Sequence, residues 1–220
     1  VIDQLSIIEF FRNEKGFLKF SKAFYHKVKL AYEWYAEMID SVSGDAPNYG
    51  GNDGTYLLNY DVKPYRDFRP SISLFSSIYK LPLKRNLFSD HIFHSVFKID
   101  KPKLINNGKG ELINTNGGLV KLSRDLGAIY FRIPQYKFRP SQSDALNVDI
   151  WQNGINWVRD LGTYSYALSY DELDNYSGSI AHNTISFNGK NQMPRYSRFL
   201  FSDWLKPDFI KVNSNKTKTS

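Results

Sequence analysis

The chain has 220 residues, with 29 lysines and arginines against 22 aspartates and glutamates, a net charge of +7 and no cysteine. That length suits one large domain or two modest ones able to fold unaided. The missing cysteine excludes disulfides and thiolate metal sites and is compatible with cytoplasm or periplasm. No run of ~20 apolar residues exists, which excludes a membrane-spanning helix of ordinary length. The basic surplus favours a polyanion, whether nucleic acid, an anionic membrane or an acidic glycan. The chain opens on Val1 without a signal-peptide pattern, so it reads as a fragment or a processed chain, with any export signal out of view. Its 15 Tyr, 16 Phe and 4 Trp could serve as stacking platforms for sugars or simply fill strands and core.

In chain order, residues 1–100 read as helical. From Phe17 the apolar positions Phe17, Phe20, Phe24, Val28, Ala31, Tyr35 and Met38 step by three and four, predicting one helical stripe. Lys19, Lys22, Lys27 and Lys29 fall on the opposite, solvated face. Residues 43–54, SGDAPNYGGNDG, are rich in turn formers. Shorter helices are predicted over 71–80 and 89–97, the second opening on a cap signal at Ser89 and Asp90.

The character changes near Asp100. A polar, turn-prone stretch leads to predicted strands at 119–122, 128–133, 146–150, 156–159 and 184–188. In 146–150, Leu146, Val148 and Ile150 alternate with Asn147 and Asp149, the period of a half-buried strand. Helices followed by strands, without βαβ alternation, argue for an α+β chain with a helical region at 1–100 and a strand region at 101–220. The polar tail, residues 212–220, reads as frayed.

Two blocks carry a more specific message. One is APNYGGNDGTYLLNYDVKPYRDFRP, residues 46–70. The other comprises RPSQSDALNVDIWQNGINWVRDLGTYSY, residues 139–166, and NYSGSIAHNTISFNG, residues 175–189, with minor support from NGG at 116–118 and from Asn191 and Gln192. In this order the motifs resemble the heparinase II/III-like polysaccharide lyases, over roughly residues 46–201. The resemblance implies the C-terminal part of an α/α-toroid followed by an antiparallel β-sandwich, incomplete at both ends, with the substrate cleft between them. It further implies cleavage of a uronic-acid polysaccharide such as heparan sulfate or alginate by β-elimination, in a bacterial periplasm or outside the cell. In that family a polar residue, often Asn, neutralises the sugar carboxylate, while a tyrosine takes the C5 proton and can return one to the leaving oxygen, assisted by a histidine. The family's Asn lies well upstream of the tyrosine. Here Asn13 is the only Asn before the loop, and nothing around it fits.

Removing a proton alpha to a carboxylate needs charge neutralisation, a base within about 3 Å and an acid for the leaving oxygen. Tyrosine can be that base where cations favour its phenolate. Tyr65, in PYRDFRP beside Arg66 and Arg69, with Asp67 able to orient one of them, is the first choice. Tyr49 in NYGG is the second, ahead of Tyr56 and Tyr60; each could equally be a packed tyrosine bonded to backbone. The resemblance puts His182 of AHNT in the cleft, neutralising the carboxylate or assisting proton transfer; the alternative is a histidine fixing a strand end. Arg69, Arg139 and Arg132 are candidates for the substrate's acidic groups, because a guanidinium fork matches carboxylate or sulfate. Asn52 and Asn183 complete the substrate-binding set, although Asn52 and Asp53 equally suit shaping the loop. Asp144 and Asp160 read as turn and arginine holders, and Gln142 has no assigned role.

No cofactor is expected. His91 and His94 have a spacing that can hold a metal, but no third ligand is near in sequence. Thr184 stands where some relatives carry the second histidine of a sandwich metal site. Competing readings are a glycoside hydrolase, which needs two carboxylates across a cleft, and a non-catalytic glycan-binding or structural remnant. Nucleic-acid binding ranks last, since the basic residues are dispersed and no recognition motif occurs.

Overall fold

The computed structural model describes residues 1–52, 54–58, 63–106, 112–114 (backbone only) and 117–211. Asp53, Tyr60, Asn116 and the polar tail, singled out above, lie outside the described residues.

Three helices build the first part. Helix α1, Ile2–Glu14, buries the line Asp3, Ser6, Glu9 and Arg12. The charges at its far end are paired: Arg12 grips Glu9 through Nε at 2.8 Å and Nη2 at 2.7 Å, and the Tyr25 hydroxyl donates to Glu9 at 3.1 Å. Helix α2, Lys22–Met38, begins at Ser21, whose side chain accepts from the Phe24 N–H at 3.1 Å. The stripe expected from Phe17 therefore starts later. Val28 and Met38 are buried, but Phe17 and Phe20 precede the helix and are exposed. Helix α3, Arg69–Tyr79, is buried at every position from Pro70 to Ser76. Its serines make that possible: Ser73 and Ser76 donate to the carbonyls of Leu87 and Leu81, so polar groups inside the core keep their partners. Val28 and Tyr32 of α2 meet Ile72 and Phe75 of α3 in one core, with Ile39, Leu83 and Leu87.

The predicted helix at 89–97 shortens to α4, Ile92–Val96, and its cap is His91, not Ser89 or Asp90. The His91 ring accepts from the Phe93 N–H while His94 Nδ1 accepts from the His91 N–H, each at 3.1 Å. The two histidines thus serve helix capping, and no group of three possible metal ligands occurs among the described residues.

The strands form a parallel pair, β1 (Leu83–Lys84) with β2 (Leu104–Ile105), a five-stranded antiparallel sheet, and a final hairpin. The sheet runs in chain order through β3 (Leu112–Asn114), β4 (Leu119–Arg124), β5 (Gly127–Arg132), β6 (Val148–Gln152) and β7 (Ile155–Val158). The hairpin joins β8 (Arg195–Ser197) to β9 (Leu200–Phe201). The strand predicted at 184–188 is not formed; a single bridge pairs Phe187 with Lys190. The short helix α5, Asp174–Ser177, precedes a single tight turn over Ser179–Ala181.

The alternation read at 146–150 is real but faces the other way. Asn147 and Asp149 are fully buried, whereas Leu146 and Ile150 are more than a third exposed. The amides of Asn147 and Asn156 donate to Asp149 at 3.0 and 2.8 Å, which offsets the desolvation of its carboxylate. The inner face of the sheet also carries Tyr130 and Trp151, which pack with Met38 and Ala46 in a second core. The Tyr130 hydroxyl donates to the Met38 carbonyl at 3.3 Å, and Lys121 reaches the carbonyl of Glu37. The C-terminal end of α2 is thereby pinned to the sheet, and the loop after it is carried across the sheet's edge. No helix among the described residues is long and apolar enough to cross a membrane.

Candidate functional site

The loop after α2 is locked by charge. Asp45 holds Arg66 at 2.6 Å on one oxygen and Arg159, from beyond β7, at 3.0 Å on the other. Gly44 turns with φ +79°, and a Cβ there would lie 2.0 Å from Asp67 Oδ1. Farther on, Thr163 accepts from the Asn52 N–H at 3.2 Å, and the Asn48 amide donates to the Asp160 carbonyl at 2.8 Å. These bonds seat residues 45–52 against residues 159–164.

Between them opens a cleft of about 460 Å³, walled by Trp34, Tyr49, Asn52 and Tyr65 on one side and by Arg159 and Tyr164 on the other, with Arg66 also contributing. No carboxylate lines it among the described residues. Two tyrosines open on this space: Tyr164, 70% exposed, and Tyr65, 38% exposed, the latter with its ring edge-on to Tyr56 and its hydroxyl 3.4 Å from Asn52 Oδ1. Tyr49 contributes to the wall, but its hydroxyl is buried and has no hydrogen-bond partner among the described residues. Burial drives the Tyr49 pKa far above the ordinary tyrosine value, against a smaller opposing pull from Arg132. Tyr49 therefore stays protonated and is a poor base.

His182 lies beneath the cleft. Its Nδ1 is 2.7 Å from Asp160 Oδ2, and neither side chain has more than 1% of its surface accessible. Asp160 Oδ1 accepts from the Gly162 N–H at 2.7 Å. The pair thus braces the segment that carries Gly162 and Thr163 into the cleft wall. A buried aspartate needs a donor, and the imidazole Nδ1 supplies it, while His182 Nε2 is buried with no hydrogen-bond partner among the described residues.

The arginines separate in the same way. Arg69 does not line the cleft; its guanidinium is taken bidentately by Asp67, both bonds 2.7 Å, so Asp67 does orient one of the neighbouring arginines. Arg132 lies under the cleft, 3.1 Å from Asp144 and between the rings of Tyr49 and Tyr136. Burial raises the pKa of Asp144, while Arg132 and then His182 oppose that rise. Arg139 opens on a separate cavity. Asn183 is spent on structure: its N–H donates to Asn147 Oδ1 at 2.8 Å and its amide to the Val158 carbonyl at 3.2 Å. Of the residues expected from the sequence, the cleft brings together Tyr65, Tyr49 and Asn52. Sequence reasoning missed Arg159, Asn48 and Tyr164. The signal available for Arg159 was its place directly before the Asp160 motif; nothing local marked its pairing with Asp45, 114 positions away.

The mixed fold of helices and antiparallel sheet can be compared with that of known proteins. Residues 115–219 match the family model described as heparinase II/III-like, C-terminal, so this region of the chain is similar to the heparinase II/III-like proteins. Among solved structures it is similar to a heparinase III (the BT4657 gene product) with methylated lysines, at TM-score 0.56 and 14% identity over 78% of this chain and 25% of that one. A second structure of heparinase III matches at TM-score 0.50 and 13% identity, covering 72% of this chain and 23% of that one. The chain thus spans about a quarter of the heparinase III chain it resembles. No curated protein matches it.

Proposed function

We propose that this chain forms part of a polysaccharide lyase that cleaves a uronic-acid-containing polysaccharide by β-elimination, with Tyr65 as the proton-transferring residue. The observation that supports this reading is the cleft itself, where a part-exposed tyrosine meets two guanidiniums bridged from behind by Asp45 and no carboxylate lines the space among the described residues. Arg66 and Arg159 supply positive charge for an acidic sugar. Tyr65 removes the C5 proton, the C–H electrons become the C4–C5 double bond, the C4–O bond breaks, and the proton passes to the leaving oxygen. His182 acts through Asp160 as a positioning residue for the wall at Gly162 and Thr163. A glycosidase would need two carboxylates facing the bond, and the described lining gives that reading no support.

In this reading the helices of residues 1–100 are the end of an α/α-toroid. The sheet region of residues 101–220 is part of a β-sandwich, and the cleft lies where the two meet. The protein would act in the bacterial periplasm or outside the cell, where such polymers occur.

The test is ultraviolet absorbance during incubation with a panel of uronic-acid polysaccharides. Elimination leaves a double bond conjugated to the carboxylate, which absorbs where the substrate does not. A rise with the unaltered protein that disappears in Tyr65→Phe is the expected result. Binding of the polymers without any rise would instead mark a non-catalytic glycan-binding module.

A further inference from the structure

A second cavity, about 320 Å³, lies on the far side of the 162–166 segment from the cleft. The two spaces share Thr163, and the Gly50–Gly51 turn faces one with Gly50 and the other with Gly51. Its size is at the lower end of the range of ligand sites, ~300–1,000 Å³. No acid lines it among the described residues, while Arg139 and Arg198 both do. Among the described residues neither guanidinium spends its charge on a carboxylate. Arg139 donates only a long bond, 3.4 Å, to the Phe199 carbonyl, and Arg198 donates to the carbonyls of Tyr166 and Leu168 at 3.1 and 2.6 Å. Carbonyl bonds orient a guanidinium but leave its charge uncompensated, so the cavity holds two positive charges toward an incoming anion.

The remaining wall is aromatic. Tyr166 stands edge-on to Phe199 at 5.8 Å, and Tyr176 is stacked on Tyr164, a residue of the cleft, at 5.0 Å. The close approach of Tyr166 is built in: a Cβ on Gly51 would sit 2.5 Å from the Tyr166 hydroxyl. Ring faces beside guanidinium groups make a surface for a pyranose bearing an acidic substituent.

We propose that this cavity is a second anionic-sugar subsite, taking a neighbouring unit of the chain whose scissile unit occupies the Tyr65 cleft, and pairing its carboxylate or sulfate with Arg139 and Arg198. The assignment rests on the polysaccharide reading above. It gives Arg139 a role one sugar removed from the chemistry and brings in Arg198, which no motif marked.

The test is calorimetric binding of di- and tetrasaccharides, prepared from an unsulfated and from a sulfated uronate polymer, all in the Tyr65→Phe background so that the sugars persist. The expected result is a tetrasaccharide bound about tenfold tighter than the disaccharide, with that gain lost in Arg139→Gln/Arg198→Gln and the disaccharide affinity kept. Arg139→Gln alone, at an exposed side chain with one long bond, removes at least part of the gain and guards against misfolding of the double variant. A larger loss in the sulfated series assigns the pairing to sulfate; an equal loss assigns it to carboxylate. A length gain insensitive to both variants overturns the subsite alone. Failure of every oligosaccharide to bind overturns the subsite and the polysaccharide reading together.

Discussion

His182 and Asp160 form a buried pair, Nδ1 to Oδ2 at 2.7 Å, beneath the floor of the tyrosine-lined cleft. Replacing His182 by Ala strands the Asp160 carboxylate, leaving the Gly162 N–H as its hydrogen-bond donor among the described residues. Loss of one member of a buried pair costs about 3–5 kcal/mol, so denaturant unfolding of His182→Ala should show a large drop in midpoint. A group that met substrate from an open cleft would instead leave the midpoint nearly unchanged. The pair is therefore testable as structure before any substrate is identified.

Tyr65→Phe should behave in the opposite way. The hydroxyl makes one long bond to Asn52 and is part-exposed, so its removal should move stability by less than about 0.5 kcal/mol. Turnover should fall by about a hundredfold or more if the hydroxyl transfers the proton. Initial rates and a melting curve on the same sample decide the matter.

Arg69 and Arg159 should part company. Arg69→Gln removes the bidentate partner of Asp67, a residue only 4% exposed, and should lower stability by about 2–3 kcal/mol. Arg159 is about half-exposed at the cleft rim. Arg159→Gln should leave the melting temperature close to that of the unaltered protein, raise KM on an acidic polymer and weaken the dependence of KM on salt.

Asp149 makes stability depend on pH. Burial pushes its pKa up to about 6, against the lowering effect of the Asn156 and Asn147 amides. A folded pKa above the unfolded value of about 3.9 means that the protonated form is favoured by folding. The contribution is complete below about pH 4 and is lost as pH rises through about 6, a change of roughly 2–3 kcal/mol. Asp149→Asn should flatten unfolding free energy across that window, measured by denaturant titration at pH 4, 5, 6 and 7.

Gly44→Ala tests the loop that seats the cleft. The backbone there has φ +79°, and the new methyl would meet the Asp67 carboxylate. Both effects act against folding, and together they should cost about 2 kcal/mol or more. A lowered melting temperature with weaker polymer binding is the expected pairing, because the same loop carries Asn48 and Asn52.

By itself the sequence determined the order of helices before strands, four of the strand positions, the turn-rich loop and the likeness of residues 115–219 to the heparinase II/III-like C-terminal model. Those are local properties: periodicity, turn chemistry and short runs of identity do not depend on distant partners. Tertiary structure alone decided which face of each element is buried and which charged groups meet. The alternation at 146–150 could be read with either face inward, because period two is symmetric, and the amides of Asn147 and Asn156 made the polar face the buried one. His182, Arg69, Arg132 and Arg159 are chemically eligible for one cleft, but each was assigned by a single aspartate partner, Asp160, Asp67, Asp144 and Asp45. A charge leaving water goes to the nearest compensating charge, and that neighbour exists only after the chain has folded.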